Sequence, residues 1–237
     1  MKYALISDIH GNLEALQTAL DYLGKNNINE IYCLGDIVGY GPNPNECVNM
    51  VRNKCKNVLM GNHDFAAVGK ANVDYFNDYA KLATYWTMKN LSEKNKNYLE
   101  SLPFTHQNDE AIMVHASPTN PSHWYYILSL YDAQIEMQSF NQPLCFIGHS
   151  HVPVIFSAQK IIRNDYFGYD TNKQYIINVG SVGQPRDGNS KLSMVVVDND
   201  ACKIQYVRLS YNIEETYRKI IRAGLPKFLA ERLLKGY

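Results

Sequence analysis

Short apolar runs alternate with polar, helix-spaced stretches through the first sixty residues. Residues 3–7 form an apolar run that stops at Asp8. Leu13, Leu16, Leu20 and Leu23 then recur at the spacing of one helix face, with Asn12 placed to cap its start. A second run at 30–34, a helix predicted over 44–53 with Pro44 in its first turn, and a third run at 57–60 complete the alternation. Strands alternating with helices predict a mostly parallel sheet, and ligands of such sheets gather at the carboxyl ends of the strands.

Between 65 and 101 the pattern turns helical, with Tyr75, Tyr79, Leu82, Ala83 and Trp86 spaced as one face. Residues 111–114 return to strand, 118–141 are aromatic and irregular before a helix, and 144–147 form another apolar run. Beyond His151 the chain reads as β-hairpins built from 154–157, 160–163, 174–178, 192–197 and 203–209. A helix follows at 212–222, with Asn212 and Glu215 in capping-box spacing and Gly224-Leu225-Pro226 as its stop, and a last one at 227–235. There is no internal repeat, low-complexity tract or flexible linker. The expectation is one domain over 1–237, with a helical insertion at 65–101 and C-terminal helices at 212–236.

Composition narrows the partners more than the fold. Lys+Arg and Asp+Glu are both 23 in 237 residues, which removes the broad electrostatic argument for a nucleic-acid or membrane-surface binder and leaves only local basic patches. No stretch approaches the roughly 20 apolar residues of a membrane helix, and the N-terminal apolar run is too short for a signal peptide. Cys33, Cys47, Cys55, Cys145 and Cys202 form no CxxC pair, so they read as reduced thiols, with Cys33 and Cys145 as small buried hydrophobes. A cytoplasmic location is expected. The oligomeric state, including a homo-oligomer, stays open.

The chemistry sits at the ends of the predicted strands. Asp8-Ile9-His10 follows the first, Gly35-Asp36 the second, Gly61-Asn62-His63-Asp64 the third, His115 another, and Gly148-His149-Ser150-His151 a further one. Asp8 and His10, two apart, can reach one ion. Asp36 suits a bridging carboxylate, Asn62 offers an amide oxygen, and His115, His149 and His151 offer imidazoles. One such fragment is commonplace; five of them, each closing a strand, point to a dinuclear metal site rather than to core histidines.

The ordered set Asp8-x-His10, Gly35-Asp36, Gly61-Asn62-His63-Asp64, His115 and Gly148-His149-x-His151 resembles the calcineurin-like metallophosphoesterase superfamily over residues 1 to about 185. The segment Asn178-Val179-Gly180-Ser181-Val182-Gly183-Gln184-Pro185-Arg186 and Ala223-Gly224-Leu225-Pro226 are similar to its branch of small prokaryotic phosphodiesterases. That resemblance implies an α/β fold of two mixed β-sheets packed as a sandwich and flanked by helices, in four layers α-β-β-α. It implies that Asp8, His10, Asp36 and His151 hold one ion and Asp36, Asn62, His115 and His149 a second. It also implies His63 as general acid toward the leaving oxygen, with Asp64 orienting its imidazole. The ions would be manganese, iron or zinc, which imidazole-rich sites prefer over magnesium, and they would supply a bridging hydroxide as nucleophile.

Departures from the family shape the substrate expectation. Protein phosphatases and symmetrical dinucleotide hydrolases of the superfamily carry arginines beside the second and third motifs. Here 35–41 has none and Met60 precedes Gly61, leaving Arg186 as the nearby substitute. Tyr40, Phe65, Trp124, Tyr125 and Tyr126 lie next to motifs, where base stacking contributes about 1–3 kcal/mol. Arg186, Tyr40 and Trp124 are therefore the candidate substrate-binding residues. The expected function is hydrolysis of a small phosphodiester or nucleotide. The alternatives are a protein or dinucleotide phosphatase, and a metal-binding scaffold without catalysis.

Overall fold

The strand β1 (Lys2–Ile6) is apolar on both faces because both faces are covered. Tyr3 and Leu5 enter a core shared with Met113, Phe146, Ile177 and Val195, whereas Ala4 and Ile6 enter another with Leu16, Ala19 and Val48. The same alternation sorts every central strand, and it defines the layers. The computed structural model describes residues 2–237, with the side chain of Tyr75 left aside.

After β1 come α1 (Leu13–Lys25), β2 (Ile31–Cys33), α2 (Pro44–Lys54) and β3 (Asn57–Val58). The middle of the chain holds α3 (Asn62–Ala67), α4 (Asp78–Asn90), α5 (Glu93–Glu100), β4 (Thr105–Gln107), β5 (Ala111–Val114), α6 (Leu130–Glu136) and β6 (Leu144–Ile147). Then follow β7 (Val154–Ser157), β8 (Ile161–Ile162), β9 (Tyr166–Gly168), β10 (Tyr175–Asn178), β11 (Leu192–Asp198) and β12 (Lys203–Leu209). Two helices, α7 (Ile213–Arg222) and α8 (Lys227–Lys235), close the chain.

Two mixed six-stranded sheets result, in the orders β3-β2-β1-β11-β12-β9 and β4-β5-β6-β10-β7-β8. Within them β1, β2 and β3 run parallel, as do β5, β6 and β10. The core between the sheets takes Leu5 and Val195 from one and Phe146 and Ile177 from the other. The outer face of the first sheet packs on α1 and α2, and that of the second packs Cys145, Ile147 and Phe156 against Ala133 and Met137. This is the expected four-layer sandwich.

Three details differ from the sequence expectation. Beyond His151 the chain is not a series of hairpins: β10 lies between β7 and β6, parallel to β6, and only β7–β8 and β11–β12 are consecutive pairs. Two edge strands, β4 and β9, went unread because they are short and half exposed, without an apolar run to announce them. The face expected on the 65–101 helices is only half right. Ala83 and Trp86 pack inward as expected and the Tyr75 side chain lies outside the described residues, but Tyr79 and Leu82 are 44% and 56% exposed, and α4 buries Ala80, Thr84 and Thr87 in their place. Small residues let it approach closely, and the hydroxyls of Thr84 and Thr87 donate to the carbonyls of Ala80 and Ala83, both at 2.8 Å. The α4 helix and the C-terminal pair α7–α8 meet around Tyr40, which is buried with Ala83, Ile220, Leu229 and Leu233.

Candidate metal centre

Parallel β1, β2, β5 and β6 deliver their carboxyl ends to one rim, so the side chains that follow them converge. Asp8 and His10 follow β1, Asp36 follows β2, His115 follows β5, and His149 and His151 follow β6. Asn62 and His63 sit on the first turn of α3 rather than in a loop. Asp8, His10, Asp36, His149 and His151 all have left-handed backbones, with φ of 53, 51, 52, 65 and 61 degrees. Such a residue turns the chain sharply as it leaves a strand, and Asp, Asn and His tolerate it best. The turns are tied by tertiary hydrogen bonds: Asp8 N–H to Gly35 at 3.1 Å, His10 N–H to Asp36 at 2.9 Å, and Gly183 N–H to Asp8 at 2.9 Å.

The ring nitrogens are oriented by backbone carbonyls. Nδ1 of His10 donates to Val38 at 3.1 Å, that of His151 to Gln184 at 2.6 Å, and that of His115 to Leu34 at 3.0 Å. Each bond places a proton on Nδ1 and turns Nε2 inward, with a free lone pair in His10 and His151 and, in His115, with a proton that a metal ion would displace. Nε2 of His10 and Nε2 of His151 then stand 3.2 Å apart, acceptor against acceptor, with Asp36 Oδ2 at 3.6 Å from the first and Asp8 Oδ1 at 3.2 Å from the second. His115 Nε2 faces Asn62 Oδ1 at 3.2 Å and Asp36 Oδ2 at 3.4 Å. Asp8 Oδ1 and His149 Nε2 are buried without a hydrogen-bond partner among the described residues.

Lone pairs aimed at one another repel unless a cation lies between them. Ligand atoms about 2.0–2.2 Å from an ion stand roughly 3–3.5 Å apart, which is the spacing here. Asp8, His10, Asp36 and His151 make one group able to hold a metal, and Asp36, His115 and His149 a second. Asn62 joins the second through its position beside His115. Asp36 belongs to both, so a single carboxylate links two sites.

The field of the site matches that reading. Burial opposes ionisation of Asp8, but His151 and His115 outweigh it and hold its carboxyl below the usual range. Burial likewise opposes Asp36, and His115 and His63 keep it low. Burial lowers His115, yet Asp36 and Asp8 overcome this and raise it to about 9. A divalent ion would take over the charge that the His115 proton carries, so metal uptake should release protons. His149 is pushed down to about 3 by burial and by His115, which leaves its imidazole neutral and free to ligate.

His63 stands over the centre against His10 and Tyr40, at ring distances of 4.9 and 4.5 Å. A Cβ at Gly39 would lie 2.7 Å from His63 Nδ1, so glycine is what admits the ring. Here the expected role of Asp64 needs correcting. Its carboxylate does not bond His63; it accepts from the amides of Ile37 at 2.9 Å, Val38 at 3.1 Å and Gly61 at 3.1 Å, while His63 Nδ1 is buried without a partner among the described residues. Asp64 thus ties the Asp36 loop to the start of α3. Position decides this, because at the third residue of the helix its carboxylate folds back on the preceding amides. Asp36 itself accepts from the His63 amide at 2.8 Å.

A cavity of about 410 Å³ opens above Asn62, His63 and His149, lined also by Tyr40, Phe76, Asn77, Trp124 and Tyr126. That volume is in the range of small-ligand sites. A larger hollow of about 650 Å³, bounded by Ser157, Phe167 and Tyr169 among others, touches none of the candidate ligands. Arg186 borders the ligand cluster itself, beside Asp36, His63 and His151. Tyr40 and Trp124 line the 410 Å³ cavity, but the Tyr40 ring is packed between His10 and His63. Tyr126 is the better-placed aromatic: it is half exposed and stacks on His149 at 4.0 Å. Phe76 and Asn77 were not singled out from the sequence, since nothing in a helical stretch marks which residues overhang a distant strand end.

Gly61 lies directly against the shared carboxylate. A Cβ there would overlap both Oδ1 and the backbone nitrogen of Asp36. Gly61→Ala is therefore expected to displace the shared carboxylate and weaken metal affinity about 10–100-fold, the usual effect of disturbing a ligand's support. Manganese titration by calorimetry measures this, and unchanged affinity would show that Asp36 is not a ligand.

Fold and site together define the class of protein. Residues 1–201 match the calcineurin-like phosphoesterase superfamily domain, and the chain belongs to that family of metal-dependent hydrolases. It is 43% identical over 241 residues to an uncharacterized protein, MJ0912, of Methanocaldococcus jannaschii, covering 98% of this chain and 97% of that one. A metallophosphoesterase of Sphaerobacter thermophilus, 40% identical, superposes with a TM-score of 0.90 over 100% of this chain and 99% of that chain. The hypothetical protein PH1004 of Pyrococcus horikoshii OT3, 20% identical, shares the fold at a TM-score of 0.84 over 100% and 98%.

Proposed function

We propose that the protein is a dinuclear-metal phosphodiesterase acting on a small phosphodiester or nucleotide in the cytoplasm. The observation that carries this reading is the pair of imidazole acceptors facing each other at 3.2 Å between two buried carboxylates, a geometry that calls for a cation. Asp8, His10, Asp36 and His151 would hold one ion, and Asp36, Asn62, His115 and His149 the other, with manganese, iron or zinc suited to so many imidazoles. When bound, the ions would neutralise phosphate oxygens and acidify the attacking water. Among the described residues no helix is long and apolar enough to cross a membrane. The helices between 65 and 101 act as an insertion whose Phe76 and Asn77 roof the cavity.

The chain's own residues supply the rest. The Asp36 carboxylate positions the first turn of α3 through the His63 amide, which sets the His63 ring beside the cavity. His63 serves the leaving oxygen with Nε2, because its Nδ1 is buried against Gly39. Arg186 faces the ligand cluster and offers a guanidinium to a phosphate oxygen. A diester preference follows from the single guanidinium bordering the ligands, where a terminal dianionic phosphate would call for more than one.

Bis-p-nitrophenyl phosphate and p-nitrophenyl phosphate discriminate the readings. Protein stripped of metal should cleave neither, and added manganese should restore turnover with the diester cleaved faster. A preference for the monoester would transfer the assignment to a phosphomonoesterase. Tight binding of two ions with no turnover of either ester would favour the scaffold.

A further inference from the structure

Two arginines converge on one ring at the edge of the site. The guanidinium carbon of Arg186 lies 5.9 Å from the centre of the Tyr40 ring, and that of Arg232, on α8, lies at the same 5.9 Å. Tyr40 is buried, whereas both arginines are only partly covered. Neither forms an ion pair with an Asp or Glu side chain among the described residues, unlike Arg208 with Asp187 and Arg218 with Glu215. Arg186 donates to Gln184 Oε1 at 3.0 Å and interacts with the Tyr126 hydroxyl, and its Nε is buried without a hydrogen-bond partner among the described residues. Arg232 donates its Nε to the main-chain oxygen of Tyr237, the last residue of the sequence.

Like charges brought together without a counter-charge destabilise a fold unless something compensates. Burial and then the proximity of Arg186 both disfavour the charged form of Arg232, lowering it to about 10, so the pair is electrostatically strained yet still protonated near neutrality. No Asp or Glu side chain among the described residues relieves it. Asp8 and Asp36 are engaged by the histidines of the ligand cluster, and would be engaged by two divalent ions when these bind. Position separates the two arginines functionally. Arg186 borders the ligand cluster, while Arg232 is absent from its lining and lies on the C-terminal helix beyond Tyr40. An anion held by both therefore lies off the reacting centre.

We propose that Arg186 and Arg232 form a second anion subsite beside the ligand cluster, which takes a phosphoryl group other than the one being cleaved. The favoured substrates are then phosphoesters that carry a second phosphate. This inference rests on the phosphoesterase reading for its substrate class, but the subsite can be tested without turnover. The C-terminal helices become part of substrate recognition, since α8 brings Arg232 to a site otherwise built by the sheets.

Two measurements decide it. In the first, chelator-treated protein is melted with inorganic pyrophosphate and with sodium chloride at matched ionic strength. Pyrophosphate should raise the melting temperature, the rise should vanish in Arg232→Gln, and Arg232→Lys should keep part of it. In the second, manganese-loaded protein is given thymidine 5′-(p-nitrophenyl phosphate) with and without a 3′-phosphate. The wild type should favour the 3′-phosphorylated ester about 10-fold or more in kcat/KM, the scale of one charge-assisted hydrogen bond, and Arg232→Gln should erase that ratio. No rise with pyrophosphate, or a rise and an ester ratio that survive in Arg232→Gln, would overturn the subsite. If neither ester is cleaved the phosphoesterase reading fails, and the melting experiment alone then upholds or rejects the anion site. Circular dichroism of both variants distinguishes lost binding from lost folding.

Discussion

Asp36→Ala should bind no more than one manganese ion per chain and lose about 10³-fold or more in turnover of bis-p-nitrophenyl phosphate. The size follows from what Asp36 does. It is the one carboxylate common to both groups of ligands, 3.6 Å from His10 Nε2 and 3.4 Å from His115 Nε2. A bound ion contributes several kcal/mol to transition-state charge stabilisation, and about 4 kcal/mol corresponds to a thousandfold in rate. Asp36 has a second duty, since its Oδ1 accepts the His63 amide at 2.8 Å. Asp36→Asn separates the two, because the amide oxygen keeps that hydrogen bond while the charge is lost. Metal content and turnover should fall nearly as far in Asn as in Ala, with the melting temperature of the Asn variant closer to wild type. Two ions retained at wild-type affinity in Asp36→Asn would remove Asp36 from the bridging position.

His63→Ala should divide substrates by leaving group. General acid catalysis contributes about 10²–10⁴-fold where the leaving oxygen is a poor one, and little where it departs unaided. An alkyl phosphodiester should therefore lose rate on that scale, while an aryl ester such as bis-p-nitrophenyl phosphate should change less than about tenfold. The ring's surroundings bear on how this works. Burial lowers His63 to about 4 despite the opposing pull of Asp36, with Arg186 adding to the fall, so it is neutral near pH 7 before substrate arrives. An anionic phosphoester placed beside it pulls that value upward, which favours protonation in the complex rather than in the free protein. The basic limb of kcat for an alkyl ester should accordingly begin at a higher pH than that of kcat/KM, which starts from the free value of about 4. Equal losses on alkyl and aryl esters would mean that His63 stabilises phosphate charge and does not deliver a proton.

Tyr40 contacts the rings of His10 and His63 and shares a core with Leu229 and Leu233. A change at α8 is thus transmitted to the histidines through one ring, and its effects on metal affinity and on substrate choice need to be measured separately.

Much of this was legible in the chain because it is written locally. The apolar runs at β1, β2, β5 and β6 are continuous since both faces of each strand are buried, and the residues that follow them must leave at the sheet rim. Asp8, His10, Asp36, His115, His149 and His151 could be named from that logic, and the structure gathers them. Tertiary packing alone decided the rest. The carbonyls of Leu34, Val38 and Gln184 that orient the imidazoles carry no sequence signal, because every residue has one. Asp64 bonds backbone amides and not His63, since the start of α3 folds its carboxylate back. Small residues gave α4 its buried face, against a spacing that favoured Tyr79 and Leu82. Arg232 lies 46 positions from Arg186, and only the docking of α8 on Tyr40 puts both guanidiniums on one ring. Periodicity and strand ends are properties of neighbouring residues, so sequence by itself determined them; which distant group meets which is a property of packing, and that needed the folded chain.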